Sequence, residues 1–412
     1  MAFAALALTA FAATPAYAAR NKPVKVGVIL PLSGPNATIG AEGKAAIELA
    51  TKIINGRYPQ LGNLLLAKGA GLSNLGGTKI KVIFADSEGS PVIGQSQALR
   101  LITQDHVAAL QGAYASGVTL TTSAVAERYH VPFVNGDSTA PGLTKRGFKW
   151  FFRVTPIETN VSKQYISFLK HEKSNGLKVN PVAIAYIHNE YGSSVKKTLM
   201  RTMKASGFRM VSPVPYNGNA ASMQPVISTL QSEKPNTVIF VSYTPDAILI
   251  AKTMKSMNYR PSIMIGDDSG YSDPSFVKSE ASITEGLVDR SAWINGAKGS
   301  PTYILNEMYE KETGHGFDAS SGRFMQAFFI MAEAINTAGS TNPVKVQSSL
   351  RRMDIKPDQL MMRYRGVKFD SDGNNVLADT NLTQMQSGHY VQIWPRKNGS
   401  AKVELPYKGW TK

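Results

Sequence analysis

The chain has 412 residues, of which 43% are hydrophobic and 18% are charged, with 35 glycines, 22 prolines and no cysteine. This composition is typical of a globular protein of about two domains, and it excludes a disordered chain, a collagen and a disulfide-stapled domain. The absence of cysteine excludes thiol nucleophiles, Cys-ligated zinc and iron–sulfur clusters. The net charge is +16, but the 45 Lys and Arg residues are scattered in ones and twos, so no nucleic-acid partner is expected.

The first eighteen residues resemble an export signal. They contain no charge, carry a short apolar run and end in Ala16-Tyr17-Ala18, the A-x-A pattern of a signal-peptidase site. We therefore expect residues 1–18 to be a cleaved signal peptide, with a buried helix as the alternative. No later segment approaches about 18 uninterrupted apolar residues, and no cysteine is present to carry a lipid anchor, so a periplasmic location is expected.

The first half of the chain alternates short β-branched runs with helical patterns. Strands are predicted at Val24–Leu30, Lys79–Ala85, Val107–Leu110 and Val131–Asn135. Each of the first three is followed by apolar residues at helical spacing. This alternation predicts a parallel sheet that is covered by helices on both faces. Residues 56–78, rich in Gly, Leu and Asn, are expected to form a surface loop or a short hairpin between the first helix and the second strand.

The same alternation begins again near Thr155-Pro156. Strands are predicted at Val182–Ile187, Arg209–Val214, Thr237–Val241 and Ile263–Gly266, and helices at Val195–Met203 and Ala247–Met257. A third stretch carries the predicted helices Pro301–Thr313 and Arg323–Thr337. The tail, residues 366–395, has the turn and alternation patterns of β-structure, with a strand at His389–Trp394.

Motifs of catalysis are absent from the sequence. No P-loop, no dinucleotide-binding glycine fingerprint after the first strand, no H-E-x-x-H and no G-x-S-x-G nucleophile elbow occur. The six histidines are far apart, so neither a metal site nor a cofactor is expected. The best enzyme candidate is a serine hydrolase using Ser138, which follows a predicted strand. It lacks an identifiable general base, and remains only an alternative to a non-enzymatic function.

Polar residues instead concentrate in loops that follow the predicted strands, where parallel sheets bind their ligands. Ser116 and Thr139 would suit an anionic carboxylate, and Asp268 would suit an ammonium group. Tyr191 and Tyr243 could form an apolar wall with polar tips. Each residue type is also common in helix caps and turns, so the argument depends on several loops sharing this character.

At these residues the chain resembles the periplasmic branched-chain amino-acid-binding proteins of ABC transporters. The resemblance is carried by the segments Val24-Lys-Val-Gly-Val-Ile-Leu-Pro-Leu-Ser33-Gly34-Pro35, Ala126-Glu-Arg-Tyr-His-Val-Pro132-Phe, Leu143-Thr-Lys-Arg-Gly-Phe148, His188–Gly192 and Phe369-Asp-Ser-Asp-Gly373. It implies the type I periplasmic binding protein fold, an α/β architecture of two Rossmann-like lobes, each a mostly parallel sheet flanked by helices, joined by a three-strand hinge. The implied boundaries are 22–156 and 290–378 for the first lobe, and 157–289 and 379–412 for the second.

The resemblance also implies a ligand site. The ligand carboxylate would meet Ser116 and Thr139, and its ammonium would meet the Asp137 carbonyl and the Asp268 carboxylate, while Tyr191 and Tyr243 close over it. The remaining residues expected at the site are Tyr114, Ala115, Ser138 and Ile39.

The sequence departs from the family pattern at three places. Ile39 stands where the family has an aromatic wall, Asp268 stands where it has a glutamate, and residues 56–78 form a longer segment than the family has. Tyr114 could in addition narrow the pocket or stack in it. The expected ligand is therefore an amino acid, branched-chain or related, with an amide or an aromatic or other carboxylic acid as alternatives. The resemblance implies delivery of this ligand to an ABC permease at the inner membrane, by a protein that is expected to be monomeric.

Overall fold

The computed structural model describes residues 22–267, 270–396 and 400–410. The predicted signal peptide at 1–18 lies outside these residues. Within them, the chain forms two sheets, each flanked by helices.

The first part of the chain builds a five-stranded parallel sheet in the order β2-β1-β3-β4-β5. Its elements, in chain order, are β1 (Val24–Leu30), α1 (Ala37–Asn55), β2 (Ile80–Asp86), α2 (Pro91–Thr103), β3 (Leu110–Gln111), α3 (Ser116–Tyr129), β4 (Phe133–Asn135) and β5 (Phe151–Arg153). The β1 strand pairs with β2 in the register Val24↔Ile80. Six of the seven β1 side chains are buried, as expected for a strand that helices cover on both faces.

The second sheet has the order β12-β11-β10-β9-β8-β6-β7. Its first part consists of α4 (Glu158–Ser174), β6 (Val182–Ile187), α5 (Glu190–Ala205), β7 (Val214–Tyr216), α6 (Gln224–Glu233), β8 (Thr237–Val241), α7 (Thr244–Ser256), β9 (Ile263–Gly266), α8 (Pro274–Ser279), α9 (Ala281–Thr284) and β10 (Val288–Ser291). All side chains of β6 and β8 are buried. These two strands form the centre of the second core.

After β10 the chain returns to the first sheet. There it forms α10 (Pro301–Thr313), α11 (Ala319–Ala338) and α12 (Pro343–Arg351), and α11 packs against α1 and β4. The chain then crosses back to add β11 (Asn381–Gln386) and β12 (His389–Trp394), a hairpin that pairs antiparallel to β10. It thus passes between the sheets three times, which confirms the predicted α/β fold of two lobes.

For residues 56–78 the sequence predicts a surface loop or a short hairpin, and the structure has an antiparallel bridge, as in a hairpin, but buries several of the side chains. These residues form two short 3-10 turns, Pro59–Leu61 and Ser73–Leu75, and the bridge joins Leu72 and Thr78. The side chains of Leu61, Leu64, Leu65 and Leu72 are at most 7% exposed and pack into the core beside α10 and α11. The segment is therefore part of the first lobe's core, because its leucines are buried there.

Candidate functional site

A small cavity lies between the two lobes, at the loops that follow the strands. The first lobe lines it with Tyr114, Ser116, Asp137, Ser138 and Thr139, and the second with Tyr191, Tyr243 and Arg290. Its volume is about 10 Å³. The structure thus brings together most of the residues that the sequence predicts for the ligand site, because the carboxyl ends of parallel strands share one edge of each sheet.

The first-lobe wall provides an uncapped helix N-terminus and a free hydroxyl. Ser116 is the first residue of α3, and no side chain caps this helix, so its first-turn N–H groups are available to an acceptor. The Thr139 hydroxyl is buried and has no hydrogen-bond partner among the described residues. A helix N-terminus favours negative charge, so these donors together suit a carboxylate.

Ser138 has a structural role in this arrangement. Its hydroxyl lies 2.7 Å from the Thr119 hydroxyl and donates towards the carbonyl oxygens of Ala113 and Tyr114, at 3.1 and 3.0 Å. These partners hold the loop after β4 against the loop after β3. None of them is a base that could activate the serine as a nucleophile.

Asp137 forms a buried ion pair within the first lobe. Arg323 of α11 donates to its Oδ1 from Nε and Nη2, at 3.1 and 2.7 Å, and Nη2 also donates to the Ser320 hydroxyl. Both charged side chains are at most 4% exposed. The pair anchors the loop that carries Thr139, because it ties that loop to the longest helix of the lobe.

The second lobe carries a matching buried pair that the sequence analysis missed. Asp267 follows β9 and accepts a hydrogen bond from Arg290 Nε at 3.2 Å. The hydroxyls of Tyr165 and Tyr191 donate to the same carboxylate, at 2.7 and 2.8 Å. Burial, followed by the charge of Asp267, raises the pKa of Tyr165 well above its usual value. These bonds fix Tyr191 and Arg290 at the cavity wall.

Tyrosine rings span the boundary between the lobes. The Tyr114 and Tyr243 ring centroids are 5.2 Å apart, and Tyr243 stacks on Tyr191 at 5.5 Å with an interplanar angle of 24°. Burial, and to a smaller extent the Asp137 carboxylate, raises the pKa of Tyr243 above its usual value. The ring therefore stays neutral at neutral pH and offers a face on which an apolar group can pack.

Two predicted site residues of the described part of the chain, Ile39 and Ala115, are not among those that line the cavity. The Ile39 side chain is 1% exposed and packs into the core of the first lobe from α1, so the expected wall is formed by tyrosines instead. Ala115 is the N-cap residue of α3, next to the lining residues. Asp268 lies outside the described residues, so its role stays a prediction. The neighbouring carboxylate, that of Asp267, accepts hydrogen bonds from Arg290 and Tyr191.

Among the described residues, no three His, Asp or Glu side chains are grouped so that they could hold a metal ion. None of the described helices combines the length and the apolar character that crossing a membrane requires.

Comparison with known proteins identifies the family. The family model described as "Periplasmic binding protein" matches residues 23–389. The Leu/Ile/Val-binding protein homolog 7 of Brucella suis is 27% identical over 411 residues, which cover 97% of this chain and 98% of that protein. Homolog 8 of the same organism is 27% identical, with 95% of both chains covered.

Solved structures of binding proteins share the fold. The leucine-binding protein LivK of Thermotoga maritima superposes with a TM-score of 0.74 at 20% identity, covering 90% of this chain and 97% of that chain. LivJ of Streptococcus pneumoniae, solved with isoleucine, gives a TM-score of 0.73 at 18% identity, covering 93% and 100% of the two chains. With two lobes around a cavity built for binding rather than for catalysis, the chain belongs to the periplasmic binding protein family.

Proposed function

We propose that this protein binds an amino acid, branched-chain or related, between its lobes and delivers it to an ABC permease at the inner membrane. In this proposal the protein acts as a monomer in the periplasm after loss of residues 1–18, and its lobes have the boundaries that the sequence predicts. The observation that carries the proposal is the buried Thr139 hydroxyl, which has no partner among the described residues and lies beside the uncapped N-terminus of α3. This corner of the cavity offers a carboxylate both hydrogen bonds and a favourable dipole.

The ammonium end of the ligand is assigned to the Asp137 carbonyl and to the Asp268 carboxylate. The names of the Brucella suis relatives and the isoleucine bound to LivJ support an amino acid as the ligand. The stack of Tyr114, Tyr243 and Tyr191 favours, as an alternative ligand of the same site, an acid with an aromatic side chain. An amide is the remaining alternative.

Ligand binding in this proposal requires movement of the lobes. The cavity volume of about 10 Å³ is far below the roughly 300 Å³ at which small-molecule pockets begin. Tyr114 of the first lobe and Tyr243 of the second lobe must therefore separate to admit a ligand. Hinge motion of the lobes provides this separation, and closure then buries the ligand for delivery.

The test is calorimetric titration of the protein with the common amino acids, their amides and aromatic acids, after a screen by thermal shift. A ligand at a concentration of 100 times its Kd adds about 2.7 kcal/mol to the free energy of unfolding, and the thermal-shift screen detects this increase in stability. Thr139→Ala is expected to weaken the best ligand at least about tenfold, since a hydrogen bond to a charged group contributes about 1.5–3 kcal/mol.

Thr229→Ala, on the exposed outer face of α6, is the matched control and is expected to bind like the unchanged protein. The proposal fails if no compound of the panel binds. It fails in its assignment of the carboxylate if both threonine variants bind equally well.

A further inference from the structure

A second, larger cavity lies on the opposite face of β10 from the ligand cavity. Arg290 lines the ligand cavity, whereas its neighbours Asp289 and Ser291 line the second one, as expected because successive strand residues point to opposite faces. The second lobe also contributes residues from α8, β11 and β12, and the first lobe contributes residues 314–319 between α10 and α11. The cavity is open to solvent and has a volume of about 750 Å³.

One wall of this second cavity is aromatic. Trp293, directly after β10, and Phe317, directly before α11, have ring centroids 4.9 Å apart. Phe317 in turn stacks on Tyr309 at 3.9 Å. Trp293 and Phe317 are at most 8% exposed, so both rings are packed into the protein rather than projecting into solvent.

The buried charged side chains of the lining are both carboxylates. Asp289 is 1% exposed and Asp318 is 8% exposed, whereas Lys278 and His389 are exposed at the rim. His315 is engaged elsewhere, because its Nε2 lies 3.0 Å from Glu42. The buried titratable groups of the lining are thus acidic, in a protein whose net charge is +16.

Asp318 is the carboxylate of this lining that can accept a further hydrogen bond. Its Oδ1 accepts hydrogen bonds from the backbone N–H and the hydroxyl of Ser321, as the N-cap of α11. Its Oδ2 is buried and has no hydrogen-bond partner among the described residues. A buried carboxylate oxygen without a donor is unfavourable, so a ligand that brings a charged N–H group would gain by reaching it.

We propose that this second cavity binds a small organic cation, a primary ammonium on an aromatic body. The ammonium donates to Asp318, and the aromatic body packs on Trp293 and Phe317, where the ring faces also attract positive charge. This site is additional to the amino-acid site proposed above and does not depend on it. A cation without an apolar body would leave the aromatic wall unused.

The protonation of Asp318 gives the site a pH signature. Burial raises the pKa of Asp318 to about 7, and the nearby carboxylates of Asp273 and Glu42 add to this effect. The other titratable groups that line the cavity are Asp289, Glu310, His315, Lys278, His389 and Tyr390, and Tyr309 stacks on Phe317. Because the ammonium binds the ionised carboxylate, its affinity is expected to fall as the pH drops below 7.

The experiment is calorimetric titration of the full chain with phenethylamine, and with 2-phenylethanol as the uncharged analogue, at pH 8 and pH 6 and equal ionic strength. Phenethylamine is expected to bind at least tenfold more tightly than the alcohol at pH 8, and several-fold more weakly at pH 6 than at pH 8. Asp318→Asn keeps an efficient N-cap for α11 and is expected to weaken phenethylamine at least tenfold and to remove the pH dependence. Trp293→Leu, which tests the aromatic wall independently, is expected to weaken it several-fold.

Tyr243→Leu, in the ligand cavity, separates the two sites. Binding that this substitution weakens, but that Asp318→Asn and Trp293→Leu leave unchanged, would place phenethylamine in the ligand cavity and overturn the proposal. Equal binding of the amine and the alcohol would also overturn it, and so would no measurable binding of phenethylamine at millimolar concentration.

Discussion

Each lobe carries one buried ion pair next to the ligand cavity, Asp137–Arg323 in the first lobe and Asp267–Arg290 in the second. The transfer of such charges out of water costs several kcal/mol per ion, and the pair recovers this cost only with good geometry and further hydrogen bonds. Both pairs have such bonds, from Ser320 in the first lobe and from tyrosine hydroxyls in the second. Their main effect is to hold the cavity walls in one position.

The first prediction concerns the loss of one partner of such a pair. Arg323→Met leaves the Asp137 carboxylate buried without its cation, and is expected to lower the free energy of unfolding by about 3–5 kcal/mol in urea denaturation. Lys52→Met is the control, because its pair with Glu312, at 2.7 Å, is largely exposed. Its loss is expected to cost less than about 1 kcal/mol. If both variants lose the same amount of unfolding free energy, the buried pair contributes no more to stability than the exposed one.

The second prediction concerns the pH dependence of stability. Burial raises the pKa of Asp246 from 3.8 to about 6. The hydrogen bond that its carboxylate accepts from the Asn219 N–H acts in the opposite direction and lowers this pKa. The folded protein therefore holds this proton more tightly than the unfolded chain does, and the stability that this proton contributes is lost as the pH rises from about 4 to 6.

Asp246→Asn keeps the acceptor for Asn219 and removes the titration. Urea denaturation of both proteins at pH 4, 5 and 7 measures the effect. The free energy of unfolding of the unchanged protein, minus that of the variant, is expected to fall between pH 4 and 6 and then to level off. A difference that stays constant across this range would contradict the assigned pKa.

Among the elements, the long buried strands were predictable from the sequence, as were the bounds of Ile263–Gly266 and His389–Trp394, whereas the bounds of the other short strands were not. Val24–Leu30, Val182–Ile187 and Thr237–Val241 are strands with the predicted bounds, since each is a β-branched run whose side chains are almost all buried. The strand predicted at Arg209–Val214 lies instead at Val214–Tyr216. Short strands are defined by the neighbours with which they pair, and a local pattern carries little information about that pairing.

The ligand cavity also contains some residues that could be predicted from the sequence and others that could not. Ser116 and Thr139 were predictable because loops after parallel strands meet at one edge of the sheet. Arg290 was not, because an arginine within a four-residue strand gives no sign of whether it faces solvent or a buried carboxylate. The position of Ile39 in α1, with its side chain in the core, could not be predicted either, because the family resemblance gives no information on how this helix packs.

The third prediction concerns residues 56–78. Leu72 is fully buried in the first lobe's core, so Leu72→Ala is expected to cost about 2–5 kcal/mol of unfolding free energy, as for other large-to-small core substitutions. Val344→Ala, at a side chain that is 60% exposed, is the control and is expected to change it by less than about 0.5 kcal/mol. Urea denaturation measures both variants. If Leu72→Ala lowers the free energy of unfolding as little as Val344→Ala does, residues 56–78 do not form part of the core.

For the molecule as a whole, contacts that cross between the lobes favour the closed form in the hinge motion proposed above. The Thr38 hydroxyl of α1 donates to Asp273 of the second lobe at 3.2 Å. The same carboxylate accepts from the Thr244 hydroxyl at 2.8 Å and caps α8 through the Ser275 N–H. Asp273 therefore joins the first lobe to two helices of the second, in addition to the ring contact of Tyr114 with Tyr243.

The last prediction concerns this bond. Thr38→Val keeps the shape of the side chain and removes the hydroxyl, so the closed form loses one hydrogen bond, a net contribution of about 1 kcal/mol. The fraction of closed molecules falls, and the apparent Kd of the ligand is expected to rise about fivefold, because binding draws on the closed form. Thr103→Val is the control, since that hydroxyl bonds only to Leu99 within its own exposed helix turn.

The sequence has no cysteine, so dyes can be attached at two introduced cysteines alone. A pair of dyes at Val344→Cys on the first lobe and Lys204→Cys on the second reports the distance between the lobes. Thr38→Val is expected to lower the population with the short distance, both without ligand and at partial saturation, whereas Thr103→Val leaves it unchanged. If the two variants give the same distance distributions and the same Kd, the Thr38–Asp273 bond does not contribute to closure. The balance between the lobes would then depend on the tyrosine contact.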